Sequence, residues 1–160
     1  MIVTACYRHR RSAGFTMVEL LVTIAVATIL ATVAIPSFSG LIASQRAKTA
    51  ASELFASFLT ARSDALMRNA NVTVSPQAGG WSQGWQILDP ANNVLESHGA
   101  LTNVAILPQT GGVTFRPSGR VTTGSTSMFV ITTTSGSSTN NQCISLNLSG
   151  RPYMTAANAC

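Results

Sequence analysis

The chain has 160 residues, ten Lys and Arg against five Asp and Glu, and 9% charged side chains against 46% hydrophobic ones. Three of the ten basic residues (Arg8, Arg10 and Arg11) fall in the first 14 positions, so from Phe15 onward seven positive charges meet five negative, net +2. That balance makes no general electrostatic case for a nucleic-acid binder, and scarce charge with abundant Ser, Thr, Asn and Gly suits an exported β-rich domain rather than a cytosolic enzyme.

Residues 1–14 read as a short basic leader. The next 21 residues, Phe15–Ile35, are apolar apart from one charged side chain, Glu19. At 1.5 Å per residue this run spans about 31 Å, close to the thickness of a bilayer core. The first basic residues beyond it are Arg46 and Lys48, so the positive-inside rule leaves the N-terminus in the cytoplasm and sends the remainder across. A carboxylate inside such a span costs roughly 2.5–3.5 kcal/mol. No basic side chain in the span can offset that cost. The partner of the right charge is an α-amine made by cutting after Gly14, four residues before Glu19. An ordinary secretory signal is cut after its apolar run. Cleavage at Ala25-Val26-Ala27 would strand part of the run on the mature chain and leave Glu19 unexplained. An uncleaved membrane anchor is the plainer alternative.

The helical pattern continues from residue 15 to about 69. Pro36 interrupts it, removing a backbone hydrogen bond and bending or loosening the helix, and Gly40 adds a soft point. From 37 to 70 the helix turns amphipathic: Ala47, Ala50, Ala51, Leu54, Phe58, Ala61 and Ala65 share one face. Arg46, Lys48, Glu53, Arg62, Asp64 and Arg68 lie mainly elsewhere around it. This face is expected to pack on a folded domain, and Asn69-Ala70-Asn71 to stop the helix.

Residues 71–160 have strand periodicity. Strands are expected at Asn71–Ser75, Trp85–Leu88, Val94–Ser97, Val104–Leu107, Val113–Arg116, Arg120–Thr122, Met128–Thr134 and Cys143–Leu148, with a closing strand at Pro152–Met154. Turn residues separate them, among them Gly79-Gly80, Asn92-Asn93, Pro108 and Pro117-Ser118-Gly119. The low-complexity run Ser135–Asn141 is expected to be a mobile loop. Trp81 and Trp85 are expected in or at the rim of the core. Antiparallel sheets sharing a core with the helix follow, an α+β domain. With leader and span set aside, about 125 residues remain, enough for one small core.

Of the three cysteines, Cys6 lies in the leader; Cys143 and Cys160 remain in a segment placed outside the cytoplasm, where disulfides persist. A bridge between them closes an 18-residue loop, worth roughly 3 kcal/mol by chain entropy, and ties down the C-terminus. No catalytic constellation is visible. His98 is the one histidine after the leader and has no nucleophile motif around it. There is no His, Cys and Asp cluster for zinc, no acidic calcium loop and no phosphate-binding Gly loop. No enzymatic activity, metal or cofactor is expected.

The stretch from Gly14 to Pro36, GFTMVELLVTIAVATILATVAIP, resembles the type III signal of type IV pilins and pseudopilins. Gly14, Phe15, Glu19 and Pro36 match it position by position. The resemblance implies cleavage between Gly14 and Phe15 by a prepilin peptidase, N-methylation of Phe15, and pairing of Glu19 with a neighbouring subunit's amine during assembly. Further on, Trp81-Ser-Gln-Gly-Trp85-Gln-Ile-Leu-Asp89, Val113-Thr-Phe115-Arg116-Pro117-Ser-Gly119-Arg120 and Cys143-Ile-Ser-Leu-Asn-Leu-Ser-Gly150-Arg151 resemble successive blocks of the GspH/FimT family. The segment Ala61–Asn69 is similar to the helix end of its minor pilins.

This resemblance implies the type IV pilin fold. It also implies a minor pilin that primes or caps a filament, with other major and minor pilins and an inner-membrane assembly platform as partners. The subunit would sit in the inner membrane by a single pass, its C-terminal domain in the periplasm, and in the pilus fibre after assembly. Two alternatives come with the family: a minor pseudopilin H of type II secretion, and a DNA-binding minor pilin acting in natural transformation. FimT-type DNA binders use basic residues near Gly-Arg-x-Arg; here Gly150-Arg151-Pro152 runs into Tyr153, so the second Arg is absent. Arg116, Arg120, Arg151 and Tyr153 are the residues that would meet double-stranded DNA, by phosphate contact and stacking. The blander alternative is that these arginines are solvated or contact another pilin.

Overall fold

A computed structural model describes residues 15–136 and 138–156, with side chains throughout except at 33–37 and 138. Helix α1 runs Met17–Arg68. It is followed by β1 Val72–Pro76, a 3-10 turn at Trp81–Gln83, β2 Trp85–Leu88, β3 Val94–His98, β4 Ala105–Leu107, β5 Val113–Phe115, β6 Met128–Ser135, β7 Ser138–Leu146 and β8 Pro152–Thr155. The chain divides into two compact units, Met1–Ser37 and Phe38–Cys160.

In the first unit the described side chains are exposed, the large apolar ones among them Val18, Leu21, Val22, Ile24, Ile29 and Leu30. Its threonines turn their hydroxyls inward onto the helix: Thr23, Thr28 and Thr32 each donate to the carbonyl three residues earlier, at 2.7–2.8 Å. A hydroxyl satisfied this way needs no water. Among the described residues no helix is long and apolar enough to cross a membrane. The expected span, Phe15–Ile35, ends in residues whose side chains lie outside the description, as does the bend expected at Pro36.

The second unit holds the core. Its part of α1 buries Ala47, Ala50, Ala51, Leu54, Phe58, Ala61 and Ala65, the face expected from spacing, together with Ala43 and Ser57. The alanines let the strands approach the helix closely, and Phe58 fills the centre. Its ring lies 5.2 Å from Phe129 and 6.3 Å from Trp81. Trp81 and Trp85 are fully buried, and Trp85 Nε1 donates to Ser57 Oγ at 2.8 Å. The helix stops as its sequence predicts. Asn69 adopts a left-handed conformation (φ 49°) and Ala70 N donates to Ala65 O at 3.3 Å, the 6→1 bond of a Schellman cap.

The strands form two antiparallel four-stranded sheets, ordered β3-β2-β1-β5 and β4-β6-β7-β8. Two expectations fail. The loop expected at Ser135–Asn141 is a hairpin, in which Thr132, Thr133, Thr134 and Ser135 pair with Asn141, Asn140, Thr139 and Ser138. Its turn begins at Gly136 (φ 57°). β-Branched threonines suit an extended backbone, and Thr133, on the inner face, anchors the hairpin by donating to Ala43 O at 2.8 Å. The strand expected at Arg120–Thr122 shrinks to a single bridge, Phe115 to Val121, because the tight turn before it leaves Val121 alone facing the core.

Candidate functional site

In the first unit the sequence singles out Glu19. Thr16 and Glu19 cap the start of α1 reciprocally: Glu19 N donates to Thr16 Oγ1 at 3.2 Å, and Thr16 N donates to Glu19 Oε2 at 3.5 Å. This is a capping box, and a carboxylate there also favours the helix dipole. Glu19 was expected to depend on an external amine. Within its own chain it already has a long hydrogen bond, which leaves its charge unneutralised. The signal was readable in the spacing Thr16-Met17-Val18-Glu19. Gly14 lies outside the described residues, and Phe15 is exposed.

In the second unit two turns meet beside α1. The first joins β5 to Val121: Gly119 N donates to Arg116 O and Arg116 N to Arg120 O, both at 2.8 Å. Pro117 and Gly119 (φ 72°) shape it. The second joins β7 to β8. There Gly150 N donates to Asn147 O at 2.9 Å, while Asn147 Oδ1 accepts from Ser149 Oγ at 2.6 Å and from Arg151 N at 3.1 Å.

The turns cross at their glycines. A Cβ on Gly150 (φ 77°) would overlap the Gly119 carbonyl, and one on Gly119 would lie 3.2 Å from Arg62 Nε. Arg62, half-buried on α1, donates from Nε to Gly119 O at 3.0 Å. Val121 N donates to Leu148 O at 3.3 Å and closes the junction.

This crossing brings together the loops that carry Arg116, Arg120 and Arg151, all three exposed. Tyr153 follows on β8, 48% exposed, and its hydroxyl accepts from Asn147 Nδ2 at 3.2 Å. Neither 116–120 nor 147–153 contains an acid. The two loops and β8 thus carry three exposed cations and a half-exposed aromatic ring, groups of the kind that meet an anion or an acidic partner. Sequence reasoning placed these residues but missed Arg62, whose partner lies 57 positions away.

Cys143 is buried in β7 and is not a free thiol; Cys160 lies outside the described residues. Asp89 shapes the β2–β3 turn, accepting from Asn93 Nδ2, Asn93 N and Ala91 N, each at 2.8 Å. The Asn93 side chain, then its backbone N–H, holds this carboxyl below its ordinary range. Among the described residues no three His, Cys, Asp or Glu side chains gather as metal ligands.

Two family models match the chain. The model of type II transport protein GspH covers residues 50–150, and that of the prokaryotic N-terminal methylation motif covers residues 9–35. Among solved structures, the type IV minor pilin FimU of Pseudomonas aeruginosa strain PAO1 is similar in two crystal forms, at 19% sequence identity. One gives a TM-score of 0.58 over 71% of this chain and 93% of that one; the other gives 0.54 over 71% and 98%. At that identity the likeness speaks for the fold: a long N-terminal helix packed on antiparallel sheets, as in type IV pilins. Comparison with curated proteins gives no match.

Proposed function

From a chain that belongs to the GspH family of pilin-type proteins and carries the N-terminal methylation motif, we propose a minor type IV pilin that primes or caps filament assembly. The observation that carries this reading is the joint presence of that motif and a GspH domain on one chain. The leader 1–14 stays in the cytoplasm. A prepilin peptidase cuts between Gly14 and Phe15, and the new amine on Phe15 is methylated. Phe15–Ile35 holds the subunit in the inner membrane by a single pass, with the second unit in the periplasm, where a Cys143–Cys160 bridge pins the C-terminus. On assembly, a neighbour's terminal amine neutralises Glu19, a charge that the Thr16 amide alone does not balance. The assembly platform and the other major and minor pilins are its partners.

Two substitutions test this. Gly14→Leu blocks processing; a mature-length product from that variant, by intact mass, would refute the junction. Glu19→Ala leaves membrane insertion intact and lowers incorporation into sheared pili; normal incorporation would refute the pairing.

The junction of the two arginine-bearing turns favours a second reading, DNA capture for uptake. With three phosphate contacts the logarithm of affinity should fall with the logarithm of salt at a slope of about −2.7 on duplex DNA. Arg151→Gln should lower that slope by about one. A domain with no salt-sensitive shift, and transformation unaffected by Arg151→Gln, would exclude it. The role of a type II secretion pseudopilin shares the same assembly chemistry. Deletion of the gene, scored together for pili, secretion and transformation, separates the three.

A further inference from the structure

His98 ends β3 and is held from several sides. Its carbonyl accepts from Gln77 Nε2 at 3.0 Å and lies so close to Gly84 that a Cβ there would overlap it. The imidazole stacks flat on Trp85, with centroids 4.0 Å apart and 6° between the planes. Its Nδ1 lies 2.9 Å from Gly99 O and its Nε2 3.2 Å from Glu53 Oε2 on α1. Both ring nitrogens therefore face acceptors. A neutral imidazole carries one N–H and can donate to only one of them; the imidazolium donates to both. A cation over an indole face adds attraction of the same sign.

The other charged groups nearby leave this arrangement standing. Arg46, on α1, lines the same groove and makes no ion pair with a described residue. Glu96, two residues earlier on β3, is exposed. Gln77, just after β1, Gly84, just before β2, and Trp85, on β2, bring no titratable group to His98.

We propose that His98 is a proton-operated clasp: the imidazolium bridges Glu53 of α1 to the β3–β4 connection, and loss of its proton releases that bridge. His98 and Glu53 line a groove of about 500 Å³ together with Ile42, Arg46, Ala50, Leu101 and Val104. The clasp sets both the width and the charge of that groove. With His98 protonated, the Glu53 carboxylate is paired and Arg46 dominates. With His98 neutral, its single N–H serves either Gly99 O or Glu53, and the Glu53 charge is no longer balanced. The sign is fixed by the geometry: the bridge exists on the acid side and disappears as pH rises. The inference rests on the exported placement proposed above, because an exported domain meets the pH of its surroundings.

The chain has two tryptophans, and a protonated imidazole stacked on indole quenches its emission. Full-length protein in detergent micelles should therefore lose tryptophan emission in one step on acidification, and His98→Gln should remove that step. Glu53→Gln keeps the emission step, since the stack survives. It should cancel the gain of a few degrees in melting temperature that the parent shows on acidification. A flat emission profile in the parent, a step that persists in His98→Gln, or an acid stabilisation unchanged in Glu53→Gln each overturns the clasp. Protease accessibility of the second unit in spheroplasts tests the export separately: a shielded domain would refute that placement and leave the clasp measurements standing.

Discussion

Gly150→Ala tests whether the crossing of the two turns holds the arginine-bearing surface together. Two penalties act at once. The backbone at Gly150 is left-handed, at φ 77°, which costs an L-residue roughly 1–2 kcal/mol. The new Cβ also meets the Gly119 carbonyl, with Arg62 Nε 3.3 Å away. Backbone oxygen cannot swing aside as a side chain can, so overpacking adds roughly 1–3 kcal/mol. The sum, about 2–5 kcal/mol, corresponds to a melting-temperature loss of roughly 8–20 °C for a domain of this size.

Gly124 provides the control. Its φ is also positive, at 88°, but nothing lies within 4 Å of its Cβ position. Gly124→Ala should therefore show strain alone, a loss of roughly 4–8 °C. Thermal unfolding of the full chain in detergent, followed by near-ultraviolet circular dichroism, reads both. Equal losses in the two variants would mean that the turns do not press on each other, and the common surface for Arg116, Arg120 and Arg151 would lose its basis.

Phe58→Ala removes the centre of the aromatic cluster and should cost about 3–5 kcal/mol, measured by denaturant unfolding. Ser57→Ala should cost about 1–3 kcal/mol in the same assay, because it leaves the buried Trp85 Nε1 without an acceptor; Trp85→Phe in the Ser57→Ala background should recover part of that loss. Asp89→Asn should destabilise near neutral pH. The folded carboxyl titrates below its ordinary value through the Asn93 side chain and backbone. Its contribution is therefore complete above the unfolded value of about 3.9 and is lost as pH falls through the lower folded value. The gap between parent and Asp89→Asn should narrow as pH falls below the unfolded value; a gap that stays open would contradict the assignment.

The helix was legible because its signals are local. The alanine and phenylalanine spacing from Ala47 to Ala65 specifies one face, and Asn69 supplies the left-handed cap within a residue of where the pattern stops. The hairpin of β6 and β7 was hidden by the same logic. A run of Ser, Thr, Gly and Asn has loop composition, and what makes it a strand is distant: Thr133 reaching the Ala43 carbonyl on α1. The Arg120–Thr122 segment misled in the other direction, since one buried valine imitates the start of an alternation.

The candidate sites divide along the same line. Glu19 stands out in the sequence because charge in an apolar run is conspicuous without any structure. The arginines are different, because a cation on a turn is ordinary until a second turn is known to lie against it. That adjacency comes from two glycines whose missing side chains let Gly119 and Gly150 touch, and from Arg62, which ties the Gly119 turn to α1. A glycine in a turn normally reports only a left-handed backbone. Here Gly150 also reports a space that the Gly119 carbonyl fills, and Gly119 one bounded by Arg62 and Leu66 of α1. Where one backbone fills the space left by another, the two loops are held together. Arg116, Arg120 and Arg151 sit on those loops, so any shared role for them depends first on Gly119 and Gly150.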